Sequence, residues 1–177
     1  MKALPARFQQ FEDLGDALPF VERILQIIEH IELFEDFDAN EIAALGRYMR
    51  CFKAPPGVEV IAEGEPGDFM LLLIDGAMEI VKIDFRGLPV PIADAKPGKT
   101  LGEMSVIDGE PRFASCNTVT ECVFAVLDRE HLSNVIADEP RLGVKLLMQL
   151  LMLLNQRLRS VSVQLMKCVE DKRLRRT

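Results

Sequence analysis

The sequence predicts an α+β fold: an antiparallel β-barrel or jelly roll flanked by N-terminal helices and a long C-terminal helix. Three observations carry that prediction. From about Cys51 to Leu127 the chain runs as short β-rich stretches divided by glycine turns. Before that region, apolar residues recur at the spacing of one helical face. After it, one apolar run keeps a heptad spacing as far as Cys168. Strands in one block and helices in others argue against the alternation of a parallel sheet.

Composition narrows the class of function. The chain has 177 residues, 49% of them hydrophobic, enough for one full core without disulfides or a metal. Asp and Glu number 28 against 21 Lys and Arg, for a net charge of -7. Such a chain is a poor general nucleic-acid binder, because clustered Lys and Arg supply most of that affinity. Cys51, Cys116, Cys122 and Cys168 form no CxxC pair. With no leader-like segment, reduced thiols in a cytoplasmic protein are expected, Cys116 and Cys122 serving as small core residues. The run VKLLMQLLMLLNQRL (144–158) is interrupted by Lys145, Gln149 and Asn155 and falls short of the ~20 apolar residues a membrane span needs. It reads as a buried helix, and no membrane partner is expected. His30 and His131 lie in separate helical segments with no nucleophile or metal spacing around them, so no enzyme, metal or cofactor is expected.

Val21, Ile24, Leu25, Ile28 and Ile31 mark one face of an N-terminal helix, with Pro19 suited to its first position. Residues before about Asp16 lack periodicity and are expected to be loosely held. Residues 1–30 are read as a helical extension and 31–177 as the main domain. Asp38 with Glu41 three residues later is a capping-box pattern opening a second helix. Asp75-Gly76, between two apolar runs, predicts a hairpin; Gly87, Gly98 and Gly109 predict further turns, and FASCNTVTECVFAVLD returns to strand-forming residues. Asp128 can cap a helix over REHLSNVIA, and Pro140 fits the first turn of a long helix reaching about Val169.

Along that last helix, Val144, Leu147, Leu151, Leu154, Leu158, Val161, Leu165 and Cys168 follow an unbroken 3,4 spacing. A second apolar stripe, Leu146, Leu150 and Leu153, stops near Leu154. The first half of the helix is therefore expected to lie between its own barrel and a partner, and the second half to touch the partner alone. A homodimer through 144–168 follows. A single core helix would not explain why the heptad outlasts the second stripe.

One stretch, LGEMSVIDGEPRFAS (101–115), makes neither a good strand nor a good helix, yet sets Glu103 and Arg112 among glycines and small residues. Taken singly, Glu103 reads as a first-turn carboxylate and Arg112 as a solvated turn residue. Taken together, the stretch resembles the phosphate-binding cassette of the cyclic nucleotide-binding domain family, of the form G-E-(apolar)-(small)…P-R-x-A-(Ser/Thr). IAEGEPGDFMLLLIDGAMEI (61–80) is similar to that family's glycine-punctuated early strands. The resemblance covers roughly Ile31 to Ser162. The family includes bacterial catabolite-activator-type regulators, cyclic-nucleotide-dependent kinases and gated channels.

The resemblance implies a ligand site made of Gly102, Glu103, Met104, Ser105, Arg112, Phe113 and Ala114. Arg112 would offer a fork of donors to two phosphate oxygens, and amides around Phe113 and Ala114 would complete an anion nest. Glu103 would accept from the ribose 2′-hydroxyl, Gly102 would let the backbone approach, and Ser105 and Ala114 would keep the cradle small. Ser160 and Ser162, with Asn155 one turn earlier, are candidate contacts to the base, as residues of the family's C-terminal helix. Phe113 departs from the pattern, standing where the family usually has Ala, Ser or Thr. A phenyl ring cannot bond a guanine edge; it could stack beside the base or crowd the pocket, and the sequence leaves both open.

The expected function is thus a free-standing sensor of a cyclic purine nucleotide, cyclic AMP foremost, that moves its 128–169 helices and alters a dimer or effector-protein surface. The competing reading is an interaction module that kept the fold while Phe113 filled the pocket. A DNA-binding regulator would need a helix-turn-helix, for which KCVEDKRLRRT at the end is too short. The basic residues Lys172, Arg173, Arg175 and Arg176 suit a helix C-terminus better than a DNA arm.

Overall fold

A computed structural model describes residues 5–34 and 36–174 of the chain, with side chains as far as Asp171; the basic tail residues Lys172, Arg173, Arg175 and Arg176 lie outside the described side chains. Among the described residues, nine strands form two antiparallel sheets. The first is ordered β1 (Glu12–Asp16), β2 (Arg50–Ala54), β9 (Cys122–Asp128), β4 (Phe69–Asp75) and β7 (Thr100–Leu101). The second is ordered β3 (Glu59–Ile61), β8 (Ser115–Thr118), β5 (Met78–Ile83) and β6 (Pro89–Ala95). Helices α1 (Val21–Gln26), α2 (Ala39–Gly46), α4 (Arg129–Asp138) and α5 (Pro140–Leu174) accompany the sheets, and α3 (Glu103–Asp108) is inserted between β7 and β8. This is the predicted α+β jelly roll with a long C-terminal helix.

The apolar run FMLLLID shows why the site region is rigid. Alternate side chains of a strand face opposite ways. Phe69, Leu71 and Leu73 enter the core between the sheets, while Met70, Leu72 and Ile74 join a second core shared with α1, α2, α4 and α5. A strand buried on both faces needs no polar alternation, so β4 reads as a continuous apolar run.

Several expectations are corrected. Asp75-Gly76 does not close a hairpin: β4 pairs with β7 and β9, whereas β5 pairs with β6 and β8. Gly76 has the expected positive φ, 92°, but uses it to carry the chain from one sheet to the other. The described residues before Asp16, from Pro5 onward, are anchored. Phe8 and Phe11 are buried in the inter-sheet core, Phe8 meeting Phe52 and Phe69 edge-on at 5.0 and 5.1 Å, and β1 pairs with β2. The helix expected through Ile31 stops at Gln26 and continues as 3-10 turns at 28–30 and 32–34. Those turns deliver Ile31, Leu33 and Phe34 to the helical core, a burial that outweighs the regularity of one short helix.

Other local signals hold. Asp38 accepts from the amides of Asn40 and Glu41 while Glu41 returns to the Asp38 amide, a complete capping box. Asp128 accepts from the His131 amide at the start of α4. Gly143 lets α5 lie close on α4, since a Cβ there would stand 2.6 Å from the Ile136 Cα. Leu142, Leu146, Leu150 and Leu153 of α5 are buried, and Gln149 donates to the Asp36 carboxylate at 2.6 Å. The heptad residues Val144, Leu147, Leu151, Leu158, Val161 and Leu165 are exposed. Among the described residues, no helix is long and apolar enough to cross a membrane.

Candidate functional site

The cassette begins where β7 ends. Gly102 takes a left-handed conformation, φ 79°, and leads directly into α3. A Cβ on Gly102 would fall 2.6 Å from Arg112 Nη1, so this position needs both the φ and the empty space of glycine. At the other end of α3, Arg129 donates to the carbonyls of Ser105 (2.7 Å) and Val106 (2.9 Å), satisfying groups a helix terminus leaves open. Gly109, also left-handed, turns the chain back toward β8.

Arg112 is only 4% exposed. Its Nη1 donates to the Gly102 carbonyl at 2.8 Å, and its guanidinium carbon sits 4.3 Å from the centroid of the Phe69 ring. Phe69 is itself braced by Phe8, so the N-terminal segment supports the floor of the site. Gly67 makes room above it: a Cβ there would lie 2.6 Å from Arg112 Cζ. Burial lowers the pKa of Arg112, against the opposing field of Asp68, without approaching neutrality for a guanidinium. Arg112 Nη2 has no partner among the described residues.

Glu103 is 2% exposed. One carboxylate oxygen is paired with Arg157 of α5, whose Nη2 also donates to the Thr100 carbonyl at 3.0 Å. The other oxygen, Oε2, is buried without a partner. Burial raises the Glu103 pKa, with Arg157 opposing it. Cys116, behind the cassette, has its thiol pushed up to about 12 by burial and is unreactive packing rather than a nucleophile.

The raised Glu103 pKa means that the native state binds this proton more tightly than the unfolded chain. Its ionisation therefore costs stability, and the cost grows as pH rises from the ordinary carboxylate range through the raised value. Glu103→Gln is expected to melt higher than the ligand-free wild type at neutral pH and to lose that advantage in acid. Melting curves of both proteins across pH would show it; a variant less stable at every pH would contradict it.

Glu103, Arg112 and Arg157 line one cavity of about 110 Å³, together with Gly102, Met104, Ser105, Phe113 and Ala114. The carbonyl of Arg112 accepts from the Gly64 amide at 2.9 Å, and that of Phe113 from Lys82 Nζ at 2.7 Å. A trans peptide sets its N–H opposite its carbonyl, which turns the amides of Phe113 and Ala114 away from those partners. Neither amide has an acceptor among the described residues. The residues that line the cavity thus carry an unpaired guanidinium donor, two open amides and an unpaired carboxylate oxygen. Buried polar atoms are seldom left unpaired, and this set suits an oxyanion carried next to a hydroxyl group.

Seven of the nine sequence-predicted site residues meet in this cavity. Ser160 instead lines a neighbouring groove of about 890 Å³ between α5 and β6, which shares Ile80, Leu101 and Arg157 with the cavity. Ser162 lines neither; its hydroxyl donates to the Leu158 carbonyl of its own helix at 2.8 Å. Phe113 does not fill the pocket: it is 59% exposed at the rim. Sequence reasoning missed Arg157, Gly67, Phe69 and Lys82. Arg157 carried no local signal, because in the sequence it is one more polar residue beside a heptad stripe.

The site is thus a jelly-roll cavity flanked by an inserted short helix with a buried glutamate and the following loop with a buried arginine. The chain matches the cyclic nucleotide-binding domain over residues 52–139. It also superimposes on a cyclic nucleotide-binding domain from Methylobacillus flagellatus KT with a TM-score of 0.82 and 38% identity, covering 92% of this chain and 91% of that one. The chain belongs to the cyclic nucleotide-binding domain family. It is 34% identical over 134 residues to a CRP-like cAMP-activated global transcriptional regulator of Mycobacterium tuberculosis, covering 76% of this chain and 58% of that protein. It is similar to Thermus thermophilus catabolite activator protein, with a TM-score of 0.70 and 26% identity over 76% of this chain and 61% of that one. The chain therefore spans only about three fifths of these two longer relatives.

Proposed function

We propose that this chain senses cyclic AMP and signals by moving its C-terminal helices. One observation supports the reading: Arg112 Nη2 and Glu103 Oε2, both buried and unpaired among the described residues, belong to side chains that line the same small cavity. A cyclic phosphate would take the free Arg112 donor and the open amides of Phe113 and Ala114. The neighbouring ribose 2′-hydroxyl would donate to Glu103 Oε2, which selects ribose over deoxyribose. The relatives named as cAMP-activated regulators and cAMP-dependent kinase regulatory subunits support the choice of nucleotide. So does the lack of a hydroxyl at position 113, which removes one way of bonding a guanine edge.

The signal would leave through Arg157. In the structure α5 is fastened to the cassette by the Arg157–Glu103 pair, to α2 by Lys145–Glu41 (2.6 Å) and to the turn before α2 by Gln149–Asp36 (2.6 Å). A ribose competing for Glu103 loosens the first tether and leaves the other two, so α5 pivots about its first half. The ligand moves this balance only by its differential affinity for the two positions. The exposed heptad from Val144 to Leu165 is the surface that would report the motion, read by a second copy of the chain packed stripe against stripe. An effector protein would then meet the altered dimer. The reading assigns no catalytic residue.

Calorimetric titration of the full chain with cyclic AMP and cyclic GMP tests the proposal. The expected result is micromolar or tighter binding, with cyclic AMP preferred. No heat and no thermal shift with either nucleotide would overturn it.

A further inference from the structure

We infer that Phe113 is the nucleobase platform of this pocket; the inference rests on the nucleotide reading above and names the residue that holds the base. The cavity's charged residues Glu103 and Arg112 are almost fully buried, whereas Met104 and Phe113, which also line it, are exposed. With the charged groups at its base, the nucleobase must lie toward the mouth. The apolar groups that reach the mouth are Ile80, Met104 and Phe113, and Phe113 alone is aromatic.

The ring is held rather than free. Lys82 Nζ stands 4.6 Å from its centroid, and the same ammonium donates to the Phe113 carbonyl at 2.7 Å and to Glu63 at 2.5 Å. Glu63 is fixed in turn, its other oxygen accepting from the Ile83 amide at 2.9 Å and its own amide donating to Ser115 Oγ at 3.0 Å. Lys82 thus covers one face of the phenyl ring, and the ring keeps an open surface at the cavity rim. An immobilised ring has already lost the rotamer freedom that stacking would otherwise cost.

Stacking on a phenyl face depends on the area and polarisability of the base, not on its edge. Phe113 therefore separates purine from pyrimidine cyclic nucleotides and contributes equally to adenine and guanine. Base–aromatic stacking is lost on truncation to alanine at roughly 1–3 kcal/mol, a weakening of roughly fivefold to a hundredfold.

Titration of the full chain with cyclic AMP, cyclic GMP and cyclic CMP, on wild type, Phe113→Ala and Phe113→Leu, tests this. Phe113→Ala is expected to weaken cyclic AMP and cyclic GMP by the same factor within that range and cyclic CMP by less. Phe113→Leu is expected to recover only part of the loss. The ligand-free melting temperature should stay at the wild-type value, since the ring is mostly exposed. Unchanged purine affinity in Phe113→Ala, or full recovery in Phe113→Leu, would overturn the platform while leaving the nucleotide site intact. Failure of wild type to bind any of the three would overturn both readings.

Discussion

Arg112→Leu is expected to weaken cyclic nucleotide binding by at least about thirtyfold while leaving the ligand-free protein no less stable than wild type. The first half follows from removing the buried donor that would meet the phosphate, a loss of about 2–5 kcal/mol for a buried charge-assisted contact. The second half follows from the contacts within the chain. The guanidinium is buried, makes one hydrogen bond to the Gly102 carbonyl and has no partner for Nη2 among the described residues. Replacing such a group with an apolar one of similar reach is often neutral or stabilising, and Phe69 beneath it offers an apolar contact. Titration and melting of the same preparation separate the two effects. A variant that binds normally, or one that loses binding because it no longer folds, would contradict the assignment of Arg112 as a residue kept for its ligand.

Gly76→Ala carries the largest expected effect on folding. At φ 92° an L side chain is strained by about 1–2 kcal/mol. The added Cβ would also press on the Glu121 carbonyl and stand 2.7 Å from Cys122 Sγ and 2.9 Å from its Cα. Two of these are backbone atoms at the start of β9, and the corner is tied further by Val119 and Thr120 bonds to Ala77. Nothing there can shift cheaply, so overpacking adds about 1–3 kcal/mol. The total, about 2–5 kcal/mol, should lower the melting temperature by roughly 5–15 °C for a chain of this size. Gly87→Ala is the control: it shares a positive φ, 79°, but its Cβ would meet nothing within 4 Å, so only the conformational strain applies. Equal losses at the two positions would show that Gly76 is merely a turn and not a crowded crossing between sheets.

The contrast between those two glycines shows how far local reading reaches. Both were read as turns, and both have a positive φ. At Gly87 the neighbouring strands β5 and β6 pair with each other across the turn. At Gly76 the same chemistry serves a crossing, because β4 is claimed on both sides by β7 and β9. Which strand pairs with which depends on burying both faces of β4, and no window around residue 76 contains that information.

The site divides in the same way. Glu103 and Arg112 are nine positions apart in one inserted stretch, with Gly102 before them and small residues around them, so their association was legible through the resemblance to the family's cassette. Arg157 meets Glu103 from 54 residues away. Gly67 and Phe69, which house the Arg112 guanidinium, come from β4 and the loop before it. Phe113 was visible as a departure, but its place at the rim was decided by Lys82 and Glu63 on other elements. Ser162 was chosen for its hydroxyl and its helix; the structure leaves that hydroxyl on its own backbone.

What the sequence by itself determined is what short-range forces decide: the capping box of α2, the positive-φ glycines and the two stripes of α5. Each depends on residues within a turn or two of one another. What only the tertiary structure decided is which of these local pieces face each other: the sheet crossing at Gly76, the burial of Phe8 and Phe11, and the tether from Arg157 to Glu103. Those pairings are set by competition among all apolar surfaces for one core and among all buried polar groups for partners, and that competition is settled only when the whole chain has packed.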